Sequence, residues 1–223
     1  MVRHLFDIKK VLTGLDTMTN FELTGAVDEG KIWEPLMTRA FKYVAKELSI
    51  ITEKEVKSRS LQLRKIPIHD MPAVFGGAGA LTIGMHSNYF GDMNGRFLLA
   101  CNSELVCVLA GEMAGTGNLT DQALLHTESS ALEKLCGGIA ISFLQAAADF
   151  VDKKFQCSPP TILIDASTAI IDIALSEVLE DIEYALLANV IFIAYGYEIP
   201  STFMIAACPG LTELVIAKTS SLA

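Results

Sequence analysis

The sequence predicts an α+β fold in which two similar halves share one twisted antiparallel sheet, with two long helices lying together on one side. Three observations carry this. Two hairpin segments match in outline, YFGDMNGRFLLACN and YGYEIPSTFMIAACP, and each ends in Ala-Cys before a turn residue and a short apolar helix. A long helical segment precedes each hairpin. The order of long helix, strands, hairpin and short helix repeats, which marks an internal duplication. With 223 residues and 51% hydrophobic side chains, the chain can bury a sizeable core.

The elements follow in order. Residues 1–27 read as an N-terminal extension, a short helix from Leu5 to Leu15 and a turn. A single domain over 28–223 follows, its halves near 32–118 and 119–218. Pro35 suits the first turn of a helix running to about Ile50, with Leu36, Ala40, Val44 and Leu48 on its buried stripe. The basic run KEVKSRSLQLRK reads as a solvated face and loop passing into LQLRKIPI, a strand or extended segment. VFGGAGA is a turn: it lacks the Gly-Lys-Ser/Thr ending of a phosphate loop and precedes a strand, ALTIGMHS. FGDMNG then closes a hairpin onto RFLLACN, and ELVCVLAGEMAG is a short helix. In the second half a helix runs from about Thr120 to Phe150, and TILIDA and TAIIDIA read as extended. YALLANVIFIAY turns at GYEIPS into TFMIAACP, and GLTELVIAK closes the chain as a short helix.

Charge and cysteine usage exclude several classes. Residues 1–65 hold 12 Lys/Arg against 9 Asp/Glu, and residues 66–223 hold 5 against 17, so a net +3 segment precedes a −12 body. An acidic body argues against nucleic acid and favours a partner with a basic face. No apolar run approaches the ~18–20 residues of a membrane span. MVRHLFDIKK has no hydrophobic signal core, so the sequence predicts a cytoplasmic protein without a membrane partner. Five cysteines without a Cys-x-x-Cys pair and four scattered histidines predict neither a disulfide framework nor a metal site. Asp165, Asp172 and Asp181 have no ligand-like partners.

Candidate chemistry sits in SSALEKLCGGIA, residues 129–140. Leu132, Leu135 and Ile139 mark a buried helical face. Glu133 and Cys136, three apart, are neighbours on the adjacent face, which is read as exposed. Ser130 and Glu133 also fit a capping box, and Cys136 fits a small packing residue beside Gly137 and Gly138. That glycine pair predicts close approach by the other long helix.

Two stretches, MHSNYFGDMNGRFLLACNSELVCVLAGEMAG and SSALEKLCGGIAISFLQAAADFVDKKFQCSPP, resemble the CheC/CheX/FliY family of bacterial chemotaxis phosphatases, and the resemblance covers about Ile32 to Lys218. The family's site pattern is Asp or Ser, three residues, Glu, two residues, Asn, then twenty-two residues and Pro. Ser129, Glu133 and Pro159 fall in register, and Cys136 stands where the Asn would be. The first-half counterpart is Glu34 with Met37 at the Asn position and Gly30 at the Asp/Ser position, a degenerate copy.

The resemblance implies a protein acting on a phosphorylated CheY-like response regulator, with hydrolysis of its aspartyl phosphate. In that chemistry Glu133 docks against a receiver lysine, and the residue at 136 holds a water in line with phosphorus. The receiver supplies Mg²⁺, so the chain needs no cofactor of its own. A receptor deamidase as partner and a homodimer are further implications. A thiol is a weak donor and a weak acceptor, so Cys136 predicts hydrolysis weakened by roughly 10²-fold or more, or lost. It also predicts that Cys136→Asn raises activity, and that Glu133 lifts the thiol's pKa. The alternative is a non-catalytic docking module for a response regulator or another chemotaxis protein. A small-molecule binder with a reactive Cys136 is the third reading.

Overall fold

The computed structural model describes residues 29–127, 129–177 and 184–221, so the extension over 1–27 and Asp181 lie outside the described residues. Helix α1 spans Glu29–Thr52, strand β1 Lys57–Pro67, and a 3-10 turn at Ile68–Asp70 leads into a one-turn helix α2, Met71–Val74. The hairpin β2 (Leu81–Gly91) and β3 (Gly95–Asn102) is followed by α3, Glu104–Met113. A single turn α4 (Asp121–Leu124) precedes the long α5, Ser129–Phe150. Then come β4 (Phe155–Cys157), β5 (Thr161–Ala166), α6 (Ser167–Glu177), the hairpin β6 (Tyr184–Ala194) and β7 (Tyr197–Ala207), and α7, Pro209–Ser220.

The seven strands form one antiparallel sheet in the order β1-β6-β7-β3-β2-β4, with β5 also on β2. The halves are interleaved. β1 pairs with β6 of the second half, β5 pairs with β2 of the first, and β3 meets β7 at the centre, Leu99 opposite Ile205. The predicted shared sheet is therefore present.

Alternation along the strands sends side chains to two cores. Phe97, Leu99, Cys101, Phe203, Ile205 and Phe192 face the core under α1, α3, α5 and α7. Leu98, Ala100, Met204, Ala206 and Leu187 face the core under α2 and α6. Both long helices are thus on one side. Leu36, Ala40, Val44 and Leu48 form the buried stripe of α1, as their four-residue spacing requires. Phe41 meets Phe143 of α5, Phe192 of β6 and Phe203 of β7 at ring-centroid distances of 6.3, 6.2 and 5.1 Å, joining both long helices to the sheet.

Several elements differ from expectation. TAIIDIA is helical, within α6, and buries Ile170 and Ile171 against the sheet. The long helix expected from Thr120 is two: the Thr120 side chain caps α4 by accepting from Ala123 N at 3.2 Å, and α5 starts at Ser129. Pro35 lies inside α1, not in its first turn. The basic run after Glu53 enters strand β1 from Lys57, with a bulge between Arg59 and Gln62 where Ser60 has φ +58°. The GYEIPS turn reduces to Tyr195-Gly196, whose φ values of 52° and 81° suit a two-residue hairpin, and Glu198 to Ser201 extend β7.

The segment after α3 folds back onto that helix, and Gly111 permits it: a Cβ there would lie 1.7 Å from the Gly117 carbonyl oxygen. Gly111→Ala is expected to cost about 3 kcal/mol through forced displacement of this loop. A urea midpoint unchanged from the parent chain would refute that contact.

Candidate functional site: the α1–α5 face

α5 is read best around its circumference. Leu132, Leu135, Cys136, Ile139, Ala140 and Phe143 all face the core, a stripe spaced three and four apart. Residues 133 and 136 are about 60° apart on a helix. Here that rotation crosses the boundary between surface and core: Glu133 is exposed and Cys136 is fully buried. The expectation of an exposed thiol beside Glu133 is corrected accordingly. Cys136 follows Leu132 by four and precedes Ile139 by three, so it belongs to the apolar stripe. The first half repeats this: Glu34 is exposed and Met37 is fully buried beside Leu36 and Ala40. Ser129 is the first residue of α5. Ser130 is already helical, so the capping box with Glu133 does not form.

Burial pushes the Cys136 thiol up to about 12, and burial, not Glu133, is the cause. Cys101 on β3 is pushed well up by burial, and secondarily by Cys136. Both thiols therefore hold their protons in the folded chain more tightly than an unfolded thiol near 8.5. The Cys136 contribution to stability is fully present below that value and is lost as pH rises toward 12, and the Cys101 contribution has the same sign. The urea midpoint is expected to hold from pH 6 to 8 and to fall above pH 9, less steeply in Cys136→Ala. An identical alkaline decline in both proteins would show that Cys136 does not contribute. A thiol neutral across the physiological range also opposes the reactive-cysteine reading.

The exposed side of α5 forms the floor of a groove of ≈ 1170 Å³. Gly137, Gly138, Ile141 and Gln145 lie along it, α1 supplies one wall with Lys46, Glu47 and Ile50, and Phe155, Pro159 and Pro160 supply the other. Small residues bring the walls close. A Cβ on Gly138 would lie 2.5 Å from Ile51 Cδ1, the close helix approach that the glycine pair predicts, whereas one on Gly137 would meet only Pro160 Cγ at 3.8 Å.

Hydrogen bonds fix both walls. Tyr43 Oη donates to Asp149 Oδ2 (2.9 Å), Gln145 Nε2 to Asp149 Oδ1 (3.2 Å), and Arg39 Nη1 to the Asp149 carbonyl (3.1 Å), tying α1 to α5. The bond to Asp149 raises the Tyr43 pKa. On the other side, Ser87 Oγ donates to the Ser158 carbonyl (2.8 Å) and Asn88 N to Ser158 Oγ (3.1 Å), seating the Pro159-Pro160 pair against β2.

Glu133 and Pro159 therefore meet in one groove, and Cys136 and Met37 do not reach it. The residues not anticipated from sequence are Ile50 and Ile141, 62% and 49% exposed, which line the same groove as Lys46, Glu47, Glu133 and Lys134. Ile141 lies off the core stripe, and that apolar residue on the wrong face is the signal that could have found the groove. Among the described residues, no three His, Cys, Asp or Glu side chains converge as metal ligands. α5 is long and apolar enough to cross a membrane by composition, and most of it is buried against the rest of the chain.

No protein-family model and no curated protein matches the chain. Solved structures do. Thermotoga maritima FliY superimposes with a TM-score of 0.63 at 14% identity, over 90% of this chain and 100% of that one. The FliM middle domain from H. pylori gives 0.54 at 12%, over 86% and 99%. A chain of the H. pylori FliG–FliM complex gives 0.53 at 11%, over 84% and 100%. The fold is thus of the type expected from the CheC/CheX/FliY resemblance.

Proposed function

We propose that this chain is a chemotaxis-related docking module that binds a phosphorylated CheY-like receiver through the α1–α5 face and does not hydrolyse its aspartyl phosphate. One observation carries this: both positions matching the family Asn, Cys136 and Met37, are fully buried, while the paired carboxylates Glu133 and Glu34 are exposed. In-line attack on phosphorus requires a side chain that leaves the helix surface and holds a water inside the partner's active site. A buried neutral thiol and a buried thioether cannot reach that water. Docking needs only the surface, and the groove combines the exposed apolar Ile50 and Ile141 with the charged Lys46, Glu47, Glu133 and Lys134.

The fold is one that engages protein partners, since H. pylori FliM has been solved with FliG and with SpeE. A receptor deamidase and a second copy of this chain are the competing occupants of the face. The test is titration of a CheY-like receiver, activated with beryllofluoride in Mg²⁺, against the full chain. Binding is expected, and Glu133→Lys is expected to weaken it about tenfold at unchanged thermal stability. No detectable binding of any receiver from the same genome would overturn the reading.

A further inference from the structure

Strand β1 forms one edge of the sheet. It pairs with β6 on one side, and among the described residues no strand pairs with its other side. An antiparallel edge holds out the N–H and C=O groups of alternate residues, which a further strand can take up. Six of the eleven residues of β1 are exposed: Lys57, Arg59, Ser60, Gln62, Arg64 and Lys65. No residue of β1 lines the α1–α5 groove, so this surface is distinct from the one that docks the receiver.

Charge sets the edge apart. β1 holds four cations, Lys57, Arg59, Arg64 and Lys65, and no acid, in a chain whose residues 66–223 sum to −12. Glu55 pairs with Lys57 and Glu198 with Arg59, which answers the cations of the N-terminal half; Arg64 stands exposed in the C-terminal half. That half is also the regular one. The bulge ends at Gln62, and from there to Pro67 each residue lies opposite one of β6, from Asn189 to Tyr184. Leu63 packs against the core under α1 and Ile66 against the core under α2, so Lys65 and Arg64 lie on opposite faces of the sheet. Pro67, with no N–H to offer, closes the edge. The opposite edge is divided between β4 and β5, of three and six residues, whose one charge is Asp165.

We propose that the β1 edge from Gln62 to Ile66 binds an extended acidic segment of a partner protein as an added strand. The backbone supplies the pairing and the cations select the partner. With one cation on each face of the sheet, carboxylates at neighbouring positions of the segment are both answered. The same charges disfavour a second copy of this chain, because two β1 edges laid side by side set cation against cation.

Hydrogen exchange of the isotope-labelled full chain, read by NMR, tests this. The probe is a decapeptide in which glutamate alternates with threonine, blocked at both ends and added to about 1 mM. Slower exchange of β1 amides between Gln62 and Ile66 is the expected result, with binding about tenfold weaker in Arg64→Glu. The same peptide with lysine in place of glutamate should leave exchange unchanged. No added protection on β1, shifted β1 resonances without protection, protection by the lysine peptide, or unaltered affinity in Arg64→Glu would each overturn the proposal. Protection of the edge that needs no peptide and grows with chain concentration would overturn it in favour of a second copy.

Discussion

Cys136→Asn is expected to destabilise the chain by about 2–3 kcal/mol and to leave phosphate release from a phosphorylated receiver unchanged. This reverses the expectation from sequence, in which the substitution rebuilds the pattern Ser-x3-Glu-x2-Asn. The reason is burial. Cys136 is fully buried in the apolar core under α5, in the same cluster as Leu132, Leu135, Ile139 and Cys101, where a thiol behaves as a small hydrophobe. A carboxamide there brings an acceptor and two donor hydrogens into an apolar site, and each left without a partner keeps its desolvation cost. Cys136→Ala is the control: it removes volume without adding polarity and should cost about 1 kcal/mol. Chemical denaturation of the three proteins checks the order parent, Ala, Asn. An Asn variant as stable as the parent and faster in phosphate release would mean that position 136 reaches the surface.

Phe41→Ala is expected to have the larger effect, about 3–5 kcal/mol. Phe41 is 2% exposed and is the ring common to Phe143, Phe192 and Phe203. Its removal leaves a cavity where α1, α5 and the sheet meet, so the groove walls lose their common support. Receiver binding should weaken together with stability. The surface clamp at Asp149 offers the contrast: Asp149→Ala removes exposed hydrogen bonds to Tyr43 and Gln145 and should cost no more than about 1 kcal/mol. If Phe41→Ala unfolds at the parent's denaturant midpoint, the aromatic cluster does not hold the two layers together.

What could be read from sequence followed from periodicity. The α1 stripe, the β2–β3 hairpin and the sharing of the sheet were all visible because Leu36 to Leu48 repeat at helical spacing and the two hairpins resemble one another. α6 was misread because a short apolar run such as AIIDIA is ambiguous: Ile170 and Ile171 are both buried, which a strand with two covered faces or a short core helix satisfies equally. The break before Ser129 was hidden by continuous helical character from Thr120: α4 ends at Leu124 in a turn where His126 N donates to the Ala123 carbonyl and Thr127 N to the Leu124 carbonyl. At the site, spacing gave the correct neighbours and the wrong exposure. An i, i+3 pair is adjacent on any helix, but the edge of the buried stripe ran between Glu133 and Cys136, and again between Glu34 and Met37. The groove was least visible, because its α1 wall is far in sequence from α5 and the Pro159-Pro160 segment, and only the fold brings that wall to them.

The most direct measurement is the lifetime of the aspartyl phosphate on a CheY-like receiver, with Mg²⁺, at chain concentrations that saturate binding. A lifetime unchanged in the complex is the predicted result and makes this a fold that kept its docking face without its hydrolytic side chains. A lifetime shortened tenfold or more, with turnover at catalytic amounts of the chain, would contradict it and place the chemistry on residues that reach the groove, with Glu133 the first to substitute.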